Sequence, residues 1–80
     1  MPTTVERVIA CMADVFRNKG LEPPELSPST ALAPALGLDS LDYAELIVRL
    51  ETEFGLDPLQ DGQVPELRSI ADLAALYGPK

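Results

Sequence analysis

Hydrophobic positions fall at helical spacing in three stretches of this chain. Val5, Val8, Ile9, Met12 and Phe16 recur at i, i+3, i+4 and i+7, which makes one apolar face and predicts a helix over residues 4–19. Thr3 and Glu6 have capping-box spacing at its start, and Gly20 stands as its stop. Tyr43, Leu46, Ile47, Leu50 and Phe54 repeat the pattern, so a second helix is expected from residue 39 or 40 to 54, closed by Gly55 and Pro58. Asp39 is a good N-cap there, and Asp42 lies in the first turn, where negative charge is favourable. Ile70, Leu73, Ala74 and Tyr77 give the face of a last helix over 70–77, opened by the pair Ser69 and Asp72 and ended by Gly78-Pro79. No segment alternates with period two, so strand content should be near zero.

Residues 21–38 form a long connection with Pro23, Pro24, Pro28 and Pro34, a density that forbids a continuous helix. Leu26, Leu32 and Leu36 are expected to pin it onto the core as an ordered crossing segment. Residues 57–68 contain Gly62 and Pro65 and predict one short, irregular helical turn. They also echo a calcium loop, but Leu59 and Arg68 stand where that loop needs ligands, so calcium binding is not expected. The expected fold is all-α: a small four-helix bundle of three main helices and a short irregular third, with a long ordered first loop, in one domain over 1–80.

Composition narrows the function classes. A chain of 80 residues buries only about 60% of its unfolded surface and has little room for a deep catalytic cleft. Thirteen acidic against six basic side chains give a net charge of −7, which argues against nucleic acid and anionic membranes. Without histidine, and with Cys11 alone, there is neither an internal disulfide nor a zinc site of ordinary composition. Cys11 reads as a small hydrophobe at the edge of the core. No apolar run approaches the ~20 residues that span a bilayer. Met1-Pro2-Thr3-Thr4 shows no leader signature, so a cytoplasmic monomer is expected.

Ser40, in Gly37-Leu38-Asp39-Ser40-Leu41-Asp42, stands where the proline-rich loop becomes the second helix. A serine at a helix start needs no function to explain it. As a hydrolase nucleophile it fails, because the second glycine of a nucleophile elbow is missing and no histidine is present to act as base. As an attachment point it has a physical logic, since a phosphate there meets open backbone amides and the positive end of the helix dipole. A second stripe on the same helix, Leu41, Glu45, Val48, Glu51 and Thr52, is displaced from the core face. Leu41 and Val48, ringed by Asp42, Glu45, Glu51 and Glu53, read either as ordinary exposed apolar residues or as the centre of a docking surface.

Leu36-Gly37-Leu38-Asp39-Ser40-Leu41-Asp42, then Glu45-Leu46, Glu51-Thr52-Glu53-Phe54-Gly55 and Ile70-Ala71-Asp72-Leu73, closely resembles the acyl carrier protein family over the whole chain. The resemblance implies that Ser40 carries a 4'-phosphopantetheine arm, added from coenzyme A by a phosphopantetheinyl transferase. The thiol of the arm would hold an acyl or aminoacyl group as a thioester. It also implies that Asp39, Leu41, Asp42, Glu45, Val48 and Glu51 contact partners: the transferase, and acyl-loading and acyl-processing enzymes such as an acyltransferase or ligase and a ketosynthase or condensation partner. The protein itself would catalyse nothing.

Within that resemblance the expected role is a stand-alone carrier of polyketide or other specialised-metabolite assembly. A peptidyl carrier of nonribosomal synthesis and a fatty-acid carrier are the alternatives, and an unmodified helical adaptor is the rival from another class. Asp39 leans towards acyl cargo, because peptidyl carriers more often place histidine before the serine. Arg49 interrupts the acidic helix, either to narrow the set of partners or simply as an i, i+4 partner of Glu45 or Glu53. Tyr43, one turn from Ser40, reads as a core residue with a polar tip or as a group that meets the arm or a polar cargo. Phe16, Leu46, Ile47 and Ile70 are candidates to line a space that shields an acyl chain.

Overall fold

A computed structural model of the chain describes residues 3–55 and 67–78. Among these residues are three α-helices, α1 (Thr4–Asn18), α2 (Ser40–Phe54) and α3 (Ile70–Ala75), and a 3-10 turn at Pro34–Leu36 in the crossing segment. The short third helix expected over 57–68, with its echo of a calcium loop, falls almost wholly outside the described residues, so three helices rather than four are seen.

All three α-helices open with a capping box. The side chains of Thr3, Asp39 and Ser69 accept from the backbone N–H groups of Glu6, Asp42 and Asp72, whose own carboxylates accept in return from the N-cap amides. α1 ends in a Schellman motif: Gly20 N–H donates to the Arg17 carbonyl and Leu21 N–H to the Phe16 carbonyl. That geometry needs the left-handed backbone of Gly20, at φ +80°. α3 is shorter than its apolar spacing predicts. Leu76 and Tyr77 turn on bonds to the Leu73 and Ala74 carbonyls, tightening the last turn ahead of Gly78.

The buried core is built from Val8, Met12, Val15 and Phe16 of α1, Leu46 and Leu50 of α2, and Ile70, Leu73 and Ala74 of α3, with Leu38 and Tyr77. Cys11 joins it, and burial pushes its thiol pKa up, so it stays a protonated packing group. Leu26, Leu32 and Leu36 of the crossing segment lie half-buried against this core. The segment is also stitched to the start of α3. Leu32 N–H donates to the Arg68 carbonyl, Ile70 N–H to Thr30 and Ala71 N–H to Pro28, around an isolated bridge between Ala31 and Ser69. The first amides of α3, which no helix can satisfy internally, are thereby paired by the loop.

The backbone of α1 lies close to both α2 and α3, whereas the backbones of α2 and α3 stand further apart and share the core through their side chains. The two are splayed on a common partner, and an open cleft runs between them. Arg7 ties the far end of α2 to α1: its guanidinium lies 4.1 Å from the centre of the Phe54 ring and donates to both the carboxylate and the carbonyl of Glu53.

Candidate functional site

Ser40 is the first residue of α2 and is exposed. The capping work at this helix start is done by its neighbours: Asp39 Oδ1 accepts from Asp42 N–H at 2.9 Å, and Asp42 Oδ2 accepts from Asp39 N–H at 3.0 Å. Among the described residues nothing takes the Ser40 hydroxyl in a hydrogen bond, so it is open to modification at no loss to the cap. Gly37, at φ +103°, sets the turn that delivers the chain to this point, and a side chain there would lean on Phe16.

Lys19, from the end of α1, comes beside the same turn. Its ammonium donates to Asp42 Oδ2 at 2.5 Å and to the Gly37 carbonyl at 3.4 Å. The Lys19 contact, and after it the Asp39 amide, hold the Asp42 carboxyl below its ordinary range, while Asp42 raises the pKa of Lys19. An exposed hydroxyl at a helix N-terminus suits a phosphodiester, and Lys19 lines the same cleft as Ser40.

Two clefts meet at Ser40. One runs along the loop and is lined by Lys19, Ala33, Gly37, Leu38 and Asp39. The other, of about 540 Å³, opens between α2 and α3 and is lined by Ala44, Ile47, Leu67 and Leu73. Leu32, Ser40 and Tyr43 border both. Of the residues expected to line a shielding space, Ile47 borders the cleft between α2 and α3, whereas Phe16, Leu46 and Ile70 are closed into the core.

On the outer face of α2 the structure leaves Leu41 78% and Val48 61% exposed, the two largest exposures of any large hydrophobic residue described. Their acidic surroundings are more heavily paired than the residue pattern suggests. Asp42 bonds Lys19 and retains 14% side-chain exposure, and Glu53 bonds Arg7. Glu45 accepts from Arg49 Nε at 3.1 Å and from Asn18 at 3.3 Å. Arg49 is thus the i, i+4 partner of Glu45. Glu51 makes no ion pair among the described residues, and Asp39 is exposed. Exposed pairs of this kind are weak, typically about 0–1 kcal/mol, so a partner's cations can compete for them.

Residues 6–77 match the family described as "Phosphopantetheine attachment site". The meromycolate extension acyl carrier protein of Mycobacterium tuberculosis is 33% identical over 76 residues, covering 94% of this chain and 65% of that protein. The acyl carrier protein of Thermosynechococcus vestitus is 35% identical over 69 residues, covering 86% of this chain and 80% of its own. Among solved structures, MacpD, an acyl carrier protein from Pseudomonas fluorescens involved in mupirocin biosynthesis, superposes with a TM-score of 0.79 at 32% identity, covering 95% of this chain and 68% of that one. The chain spans 65% of the length of the mycobacterial relative. Among the described residues no helix is long and apolar enough to cross a membrane.

Proposed function

The chain belongs to the acyl carrier protein family, and from that premise we propose that Ser40 is the residue that receives the 4'-phosphopantetheine arm. Membership supports a carrier rather than an enzyme, one that works with a phosphopantetheinyl transferase and acyl-handling enzymes. It also favours the carrier over the unmodified adaptor. The observation that carries the assignment to Ser40 is local. Asp39 and Asp42 cap α2 between them, and the serine hydroxyl is left exposed at the first helical position. The arm supplies a terminal thiol on which acyl groups are held as thioesters. The chain itself presents the hydroxyl, sets Lys19 along the cleft that begins there, and offers the Leu41–Val48 face for docking.

For partner contacts we propose Asp39, Leu41, Glu45, Val48 and Glu51, with Asp42 joining once Lys19 gives it up. For the pathway, polyketide assembly has the support of the mupirocin carrier's close superposition. A fatty-acid carrier is the second reading, with the meromycolate extension acyl carrier proteins among the relatives that support it. The test of the attachment is intact mass after incubation with coenzyme A and a promiscuous phosphopantetheinyl transferase. Wild type should gain one phosphopantetheine group and Ser40→Ala none, with both melting alike. A gain on Ser40→Ala would move the site elsewhere.

A further inference from the structure

The cleft between α2 and α3 begins at Ser40, and the walls beyond it are almost entirely apolar: Leu32, Ala44, Ile47, Leu67 and Leu73. Such walls reward any hydrocarbon and discriminate poorly among chains of similar size. Tyr43 is the exception. It stands one turn along α2 from Ser40 and borders both clefts. Its hydroxyl is closed off from solvent and has no hydrogen-bond partner among the described residues. A buried hydroxyl left unpaired is destabilising, and a chain that parts the cleft walls and brings an oxygen against it removes that penalty.

We infer that Tyr43 is a specificity-determining residue that makes this carrier favour acyl chains bearing an oxygen, a β-hydroxyl or β-keto group, over saturated chains of the same length. Burial, aided by the charge of Asp42, pushes the phenol pKa up, so Tyr43 stays protonated and donates to that oxygen. Discrimination then comes from the saturated chain, which would occupy the cleft and leave the hydroxyl unpaired. The arm's own carbonyl oxygens offer the same chemistry, and the experiment separates the two sources. The inference rests on attachment at Ser40.

The test compares wild type and Tyr43→Phe in four states: apo, bearing the bare arm, and loaded with hexanoyl or β-hydroxyhexanoyl from the matching coenzyme A thioester. Intact mass verifies loading, and thermal melting is the readout. In the apo form Tyr43→Phe should melt at or above wild type, because it deletes an unpaired hydroxyl. In wild type, the β-hydroxyhexanoyl form should melt higher than the hexanoyl form by about 4 °C or more, the shift expected of one added hydrogen bond in a domain of this size. Tyr43→Phe should abolish that difference. Equal midpoints for the two cargoes in wild type, or an equal difference in both variants, would overturn the inference while leaving attachment intact. A stabilisation by Tyr43 that is already complete with the bare arm would overturn it too, by assigning the hydroxyl to the arm. No mass gain on wild type would instead defeat the attachment at Ser40, and the inference with it.

Discussion

Replacing Leu41 by alanine should separate docking from folding. Leu41 is 78% exposed, so the folded monomer draws little from it, and Leu41→Ala should change stability by no more than about 0.5 kcal/mol. A partner that covers the side chain gains what the monomer leaves in water. The substitution removes three carbons at about 0.8 kcal/mol each when fully buried. Scaled by the exposed fraction, the loss on docking is about 2 kcal/mol, or roughly 30-fold in kcat/KM for phosphopantetheinyl transfer. Val48→Ala removes two carbons from a side chain 61% exposed, so its loss is about 1 kcal/mol, roughly fivefold. The order Leu41→Ala worse than Val48→Ala follows from exposure and size alone. The assay is initial-rate transfer followed by mass spectrometry at coenzyme A saturation, beside melting curves of each variant. Unchanged kcat/KM for Leu41→Ala would refute the docking face. A fall in melting temperature large enough to account for the lost rate would refute the separation from folding.

Two further expectations concern the frame around the site. Lys19 holds the Asp42 carboxyl low in the folded protein, so the pair adds stability above the ordinary carboxylate value of 3.8 and loses it as pH falls through the depressed folded value. Lys19, whose own pKa is raised, keeps its side of the contribution below 10.5 and loses it above. Wild type should therefore lose melting temperature more steeply than Lys19→Met from about pH 5 to about pH 2, and the Asp42 carboxyl resonance of the variant should titrate higher than wild type's. Equal slopes and an unmoved resonance would rule the contact out in solution. Gly20→Ala should destabilise by about 1–2 kcal/mol in urea unfolding, because φ +80° is strained for any side chain, while the added methyl meets open space. A neutral outcome would show that the end of α1 relaxes.

What the sequence discloses here is local. Capping pairs three residues apart, the stripe Tyr43, Leu46, Ile47, Leu50 and Phe54, and the exposed Leu41 and Val48 all follow from helical periodicity, and all three α-helices begin where those signals lie. What periodicity cannot register is contact between distant segments. Lys19 reaches Asp42 across 23 residues, and Arg7 reaches Glu53 across 46, so an apparently open acidic ring proves largely paired. The bonds from Leu32, Ile70 and Ala71 that fasten the crossing segment to α3 involve backbone groups alone, and no side-chain pattern announces them. The same limit explains the shielding residues. Apolar spacing marks Phe16, Leu46 and Ile70 as inward, but only the splay of α2 from α3 decides that they fill the core while Ile47 faces the cleft.

The placement of Ser40 has a consequence for how the helix and the attachment coexist. In many capping boxes the serine is itself the N-cap, and its hydroxyl is consumed in accepting from the third amide of the helix. Esterifying that oxygen would weaken the cap it makes. Here Asp39 takes the N-cap role and Asp42 returns the bond, which moves the serine one residue in, to a position whose side chain the helix does not need. The attachment proposed at Ser40 would therefore leave the cap of α2 in place, on the helix whose proposed docking face carries Leu41 and Val48. The two aspartates bring negative charge towards an incoming phosphate, and Lys19 offsets it at close range through Asp42. Cap, counter-charge and hydroxyl are thus divided among separate residues. On this reasoning Ser40→Ala disarms the carrier and leaves its fold intact, whereas Asp39→Ala, which removes the cap, destabilises α2 by about 1 kcal/mol while the hydroxyl is still present.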